Sequence, residues 1–292
     1  MAKAAKEEST ALDTAVKYNS VSAELAEELA LDAGAGTSSS ADDNIVPFIV
    51  LLQDMSPEVK KRDPEYVQGA EVGYFLNKAT KKLFAPDEDT ARATGLPVLE
   101  FQHCHFDRCI VEWVPRVEGG GFVARHELNG SPEQTMSKLG GRLVQDQQDP
   151  NKKVWKTPNG HDLIDTRYHY GYAIPTYLNE DPSEQPTPAV LAFSSTGHTA
   201  SREWMTLMNN FKVRTKMGQL VTAPSWSKKY RIRSKARTNV KGDFFVVAVD
   251  DAGIIEDSGM RAMGKALNAA ATSGSVRAAA DGTTGAEAET PI

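Results

Sequence analysis

The feature that most limits what this chain can fold into is a period of two. In SWSKKYRIRSKARTNVKG, residues 225–242, Lys229, Arg231, Arg233, Lys235 and Arg237 fall at alternate positions, and Trp226, Tyr230, Ile232 and Ala236 take the other set, with Lys228 and Ser234 among them. Such alternation separates charge from apolar surface on a strand, where successive side chains point to opposite faces. Wound as a helix, the same cations would scatter round the cylinder. The stretch therefore reads as a strand with one cationic face. Asn239 to Gly242 turn it into Phe244-Phe245-Val246-Val247, a second strand.

The surrounding chain is acidic. Over 292 residues the formal net charge is −6, yet residues 201–241 hold eleven Lys and Arg against a single acid, Glu203. A hydrophobic content of 40% suffices for a buried core. No apolar run approaches the roughly 20 residues of a membrane helix, and MAKAAKEEST lacks the apolar block of a secretory signal. Cys104 and Cys109 sit too close together to brace a chain of this size. A reducing cytoplasm is the expected compartment, with no membrane partner.

Three regions follow from composition. Residues 1–44 are an Ala-, Glu- and Ser-rich acidic arm expected to be disordered, with transient helix around Ser22 to Leu31. Residues 45–255 form the body, and residues 256–292 a short helix and a disordered tail. Within the body, short β-branched and aromatic runs alternate with Gly, Pro and Asn. Strands are predicted at 48–53, 73–76, 82–85, 98–114, 121–128, 166–178, 189–194, 226–237 and 243–250. Short links such as NKATKK and VEGGG imply hairpins, and so antiparallel pairing. The fold class is mostly β (α+β), antiparallel, with an elaborated OB-like barrel as one way to close it.

Helices are fewer. Ser56-Pro57-Glu58 and Ser131-Pro132-Glu133 carry start signals. Trp204, Leu207, Met208 and Phe211 give one apolar face to a helix predicted over 201–216, whose last turn holds Lys212, Arg214 and Lys216. A further helix is expected over 258–271, with Met260, Met263 and Leu267 inward.

Alternate residues on a strand lie roughly 6.6 Å apart, close to the phosphate spacing of a nucleic-acid backbone. Like charges so placed repel unless a polyanion covers them. Charged edges also protect sheets from pairing, but that task needs fewer cations than five in register. Tyr168, Tyr170 and Tyr172 share a face in DTRYHYGYAIP and would offer bases a stacking platform, with Trp226 as a further candidate. Tyrosine also suits a half-buried sheet surface. The composite reading is a nonenzymatic protein whose partner is single-stranded DNA. Lys229, Arg231, Arg233, Lys235 and Arg237 track phosphates, Lys212, Arg214 and Lys216 widen the surface, and Tyr168, Tyr170 and Trp226 stack bases. Five phosphate contacts imply a slope of log affinity on log salt of about −3.5. The alternative is a virion structural or assembly protein that docks an acidic partner.

Catalytic and metal signatures are thin. His103, His105 and Cys109 share a face if residues 101–113 run as a regular strand, but no second ligand pair completes a zinc pattern, and His126 would have to supply the fourth ligand. There is no GxxxxGK[ST] loop, SSTGH at 194–198 is no nucleophile elbow, and Asp162 and Asp165 suit turns and caps. No cofactor and no metal is expected.

The segments PFIVLLQDMSPEVKK, GYFLNKATKKLF, VEWVPRVEGGGFVARH, FSSTGHTASREWMTLM and KYRIRSKARTNVKGDFFVV, which lie in this order within residues 46–249, resemble a set found in uncharacterised tailed-bacteriophage proteins. That resemblance implies a phage gene product in the host cytoplasm, of a group described as single-stranded DNA-binding or replication-associated; DNA binding itself is argued from the basic strand. The ending GAEAETPI, with Glu287, Glu289, Pro291 and Ile292, is similar to the acidic tail of bacterial single-stranded DNA-binding proteins, although it has fewer acids and Ile in place of Phe. The similarity implies docking of replication or recombination proteins.

Overall fold

The structure is a computed structural model that describes residues 22–31, 44–84, 98–146, 152–174, 185–239 and 242–279. The rest of the acidic arm and the tail that includes Glu287, Glu289, Pro291 and Ile292 lie outside the described residues.

In chain order the first elements are α1 (Ala23–Leu31), β1 (Ile45–Val46), β2 (Ile49–Leu51), β3 (Phe75–Asn77), β4 (Leu83–Phe84), β5 (Val98–Trp113) and β6 (Phe122–Glu127). Next come α2 (Pro132–Lys138), β7 (Arg142–Gln145), β8 (Lys153–Lys156), β9 (Asp162–Ile174), β10 (Thr187–Ser194) and α3 (His198–Asn210). The chain continues through β11 (Lys212–Arg214), β12 (Leu220–Thr222), β13 (Lys228–Asn239), β14 (Gly242–Ile254), α4 (Ser258–Thr272) and β15 (Arg277–Ala278).

The protein is mostly β and is organised by its two longest paired strands. β5 and β9 run antiparallel from Glu100↔Ile174 to Trp113↔Asp162. At one end β13 and then β14 flank β5, while β10 flanks β9. At the other end β6 flanks β5, while β8 and then β7 flank β9. The result is one antiparallel sheet of eight strands. Its strand order runs from β14 to β7, and no described strand joins those ends. The expected OB-like barrel is therefore not formed among the described residues.

A core lies on each face of the sheet. Under α3, Phe101, Leu191, Phe193, Tyr230 and Ile232 surround Trp204, which is fully buried. Under α4, Cys104, Cys109, Val111, Tyr168, Tyr170 and Val190 pack with Phe48 and Leu267. α4 approaches closely because position 264 is glycine: a Cβ there would lie 2.5 Å from Nε2 of Gln102 and 2.7 Å from Cβ of Trp226. The Gln102 amide donates to the carbonyls of Trp226 at 2.8 Å and Met260 at 3.0 Å, which binds α4 to β5. β15 then pairs in parallel with β1, so residues 256–279, expected as helix and tail, are built into the body. α1 coincides with the expected transient helix, and its Leu25, Leu29 and Leu31 are exposed.

Two departures from the sequence reading bear on function. The helix expected to reach residue 216 ends at Asn210, and Phe211 takes an extended conformation. Lys212, Arg214 and Lys216 thus belong to the β11–β12 ribbon and its turn instead of a helical last turn. Asn209-Asn210 and the β-branched Val213 and Thr215 are weak helix formers, so the ribbon prevails. The second departure is a bulge. The β5–β9 register shifts between His103 and His105 and turns their side chains to opposite faces. Gly171 permits this crossing, since a Cβ there would sit 2.0 Å from the carbonyl oxygen of Gln102.

Candidate nucleic-acid interface

β13 realises the period of two. Tyr230, Ile232 and Ser234 are buried towards α3, while Arg231, Lys235 and Arg237 are exposed and Lys229 and Arg233 are half-buried on the opposite face. Over Lys229–Arg233 the strand pairs with β5, and β14 takes its other edge. Edge protection therefore does not explain Lys229, Arg231 and Arg233, whereas Lys235 and Arg237 lie beyond the β5 pairing, with β14 as their one described neighbour. Two acids share their face: Glu100 and Asp250 both stand opposite Arg231, but Glu100 pairs with Lys229 at 2.8 Å and Asp250 pairs with Arg233. Among the described residues no acid pairs with Arg231, Lys235 or Arg237. Lys228 is structural, nearly buried, paired with Asp251 and lying 4.3 Å over the Phe211 ring.

The tyrosine platform is not formed. Tyr168 and Tyr170 are only 5% and 4% exposed, because α4 and β15 cover that face of β9. Phe48 lies 5.7 Å from the Tyr168 ring, and the Tyr170 hydroxyl accepts the N–H of Ala278 at 3.2 Å. Burial raises both phenols, that of Tyr170 to about 12. Trp226 lies ahead of the strand in a 3-10 turn, half-buried against the α4-side core. The aromatic residue that does share the cationic face is Phe244. Register places it opposite Arg237, with Val246 opposite Lys235, and it is half-buried. Sequence reasoning missed it because Phe244-Phe245-Val246-Val247 is apolar on both faces. Only Phe245 lies against a glycine, Gly73, and has its backbone bound by Gln53.

The β11–β12 ribbon is exposed on both faces. Lys212, Arg214 and Lys216 are accompanied by Val213 at 37%, Leu220 at 63% and Met217 at 88% exposure. Their signal in the sequence was an apolar set, Val213, Met217, Leu220 and Val221, that fits neither face of the preceding helix.

The other candidates are drawn into the fold. His103 faces α3, where its ring nitrogen Nε2 lies 3.1 Å from Nδ1 of His169, and Nε2 of His169 lies 2.8 Å from Oγ of Ser201. If both rings carry their proton on Nε2, only an acceptor, Nδ1 of His103, lacks a partner. Burial holds both imidazoles neutral, that of His103 down to about 3. His105 faces α4 and meets Asn268, so the shared face expected for His103, His105 and Cys109 does not exist. His126 and His161 both bond the Glu112 carboxylate, at 2.9 and 2.7 Å. Among the described residues no group of three or more His, Cys, Asp or Glu could hold a metal. Asp162 pairs with Lys156 and Asp165 with Arg108. No described helix is long and apolar enough to cross a membrane.

A family model described as Pam3 phage gp34-like protein matches residues 16–277. No curated protein and no solved structure gave a match.

Proposed function

The chain belongs to the Pam3 phage gp34-like protein family, and we propose that it serves the phage as a nonenzymatic single-stranded DNA-binding protein. The observation that carries this reading is the unpaired set Arg231, Lys235 and Arg237 on one face of β13, beside the half-exposed Phe244. Glu100 and Asp250 are bonded to Lys229 and Arg233, so five cations face two acids on this side of β13 and the excess is positive. A phosphate backbone would offset that excess and release counterions. Phe244 would receive a base, and the ribbon cations Lys212, Arg214 and Lys216 would extend the contact. On this reading the protein works in the host cytoplasm.

The test is fluorescence anisotropy with labelled poly-dT across a salt series. Three ladder contacts contribute about −2 to the slope of log affinity on log salt, in place of the −3.5 that five would give. The triple variant Arg231→Ser, Lys235→Ser, Arg237→Ser should flatten the slope by that amount. Phe244→Ser should weaken binding by about 1–3 kcal/mol with the slope unchanged. A wild-type slope near zero, or a slope that the triple variant leaves unaltered, refutes the proposal.

A virion assembly role is the second reading, and exposed Met217 and Leu220 on the ribbon favour it. Stoichiometric presence in purified particles, with no binding to poly-dT at low salt, would select it.

A further inference from the structure

A second cationic cluster lies across the sheet from the β13 ladder. Arg108 on β5 and Arg167 on β9 are direct cross-strand partners. Asp165, the carboxylate between them, is taken by Arg108, whose Nε donates to it at 2.8 Å and whose Nη2 completes a bidentate pair. Arg167 is left with a long bond, Nη1 to the carbonyl of His198 at 3.4 Å, and its Nε is buried with no acceptor. His198 opens α3, and Arg202 follows four residues later on the same helix face, exposed. Among the described residues no acid pairs with Arg167 or Arg202.

The helix end adds to this imbalance. α3 begins at Gly197 with no side-chain cap and no acid in its first turn, and its N–H groups carry the positive end of the helix dipole. Glu133, in the first turn of α2, lies within electrostatic reach of Arg108 and Asp165. Burial, then Arg108 and Arg202, depress the Arg167 guanidinium below its ordinary range, while Asp165 acts the other way.

We infer that Arg167 and Arg202, with Arg108 behind them and the α3 N-terminus beside them, form an oxyanion site for a phosphoryl group. Arg108 is committed to Asp165, with Glu133 in reach, and the forked guanidiniums of Arg167 and Arg202 leave donors for several oxygens of one tetrahedral anion. The site is separate from the proposed DNA track. Arg167 shares the α3 face with His169, whereas Arg231 points from the opposite face. Phosphoryl groups reach such a site from a small phosphorylated compound or from a DNA phosphodiester.

The test is thermal melting of the full chain in inorganic phosphate against chloride at matched ionic strength, for wild type, Arg167→Gln and Arg202→Gln. Phosphate should stabilise the wild type. Arg202→Gln, an exposed change that the fold tolerates, should weaken the apparent phosphate affinity at least about tenfold. Arg167→Gln should abolish the effect. Absence of a phosphate-specific shift in the wild type, or equal shifts in the wild type and Arg202→Gln, overturns the site. Poly-dT binding by the same proteins distinguishes the two sources. Loss in Arg202→Gln assigns the site to a DNA phosphodiester, and unchanged binding assigns it to a small phosphorylated compound. Because the difference in phosphate between the wild type and Arg202→Gln does not depend on β13, this test and that of the ladder fail independently.

Discussion

β9 and β13 are two strands with the same kind of pattern and opposite fates. In β9, Tyr168, Tyr170 and Tyr172 alternate with Arg167 and His169; in β13, five cations alternate with Tyr230, Ile232 and Ser234. Both alternations are realised in the structure. The tyrosine face is nevertheless covered by α4 and β15, and the cationic face of β13 stays open at Arg231, Lys235 and Arg237. Periodicity of two thus specifies which residues share a face, while distant elements decide whether that face meets solvent. Tyrosine is compatible with either outcome, since its ring can pack and its hydroxyl finds a partner, here the N–H of Ala278. Five cations in register need solvent or anions, and here Glu100 and Asp250 meet Lys229 and Arg233 while the other three face solvent.

If β9 is a core strand and β13 a surface strand, close packing at the centre of β9 is the most sensitive point of the fold. Gly171→Val should be the most damaging change considered. Its Cβ would fall 2.0 Å from a backbone oxygen and 2.3 Å from the Phe101 ring, neither of which can withdraw without disrupting the bulge. We expect a loss above about 4 kcal/mol, or failure to fold, measured by urea denaturation. A variant as stable as the wild type would contradict the bulged register.

The second prediction concerns acid. His103 and His169 are buried between Phe101, Phe106, Phe193 and Trp204, with His169 stacked 4.4 Å from Trp204. Among the described residues no carboxylate partners either ring; Ser201 is the polar neighbour of His169. Their folded pKa values lie below the unfolded value of 6.5, that of His103 at about 3. The unfolded chain therefore binds protons first. The stability at stake is fully present above pH 6.5 and is lost as pH falls towards about 3, by up to about 1.4 kcal/mol per pH unit for each histidine. Urea midpoints at pH 7 and pH 5 measure it. The double variant His103→Leu, His169→Phe should flatten the profile over that window, and an unchanged profile would assign the acid sensitivity elsewhere.

The same physical distinction explains what the sequence revealed. The strands of the body and the helices around Trp204 and Met260 were legible because their patterns are local: alternation, a 3.6-residue stripe, and Ser-Pro starts. The bulge at Cys104 was not, because it depends on a missing Cβ at Gly171, 67 positions further along. It undid the apparent His103–His105 pair. β7 and β8, RLVQ and KVWK, were missed since four residues of mixed polarity give no clear period. Of the candidate interface, the cations were legible and Phe244 beside them was not. Neutralisation by Glu100 and Asp250 was equally hidden, since it comes from strands more than a hundred positions before and about twenty after.

The smallest expected effect is the sharpest test of the contrast. Removing Tyr170 from β9 would open a cavity, but removing Arg231, Lys235 and Arg237 from β13 takes away exposed side chains that no described acid pairs. The triple Ser variant should shift stability by no more than about 0.5 kcal/mol per site. The sign is informative. Relief of like-charge repulsion predicts that the variant is slightly more stable than the wild type at low salt, and that the gap closes as salt screens the wild-type ladder. A salt series of thermal melts decides the matter. A variant that is markedly less stable at every salt concentration would mean that the cations hold the fold together, and the ladder would lose its claim to be a surface kept open for a polyanion.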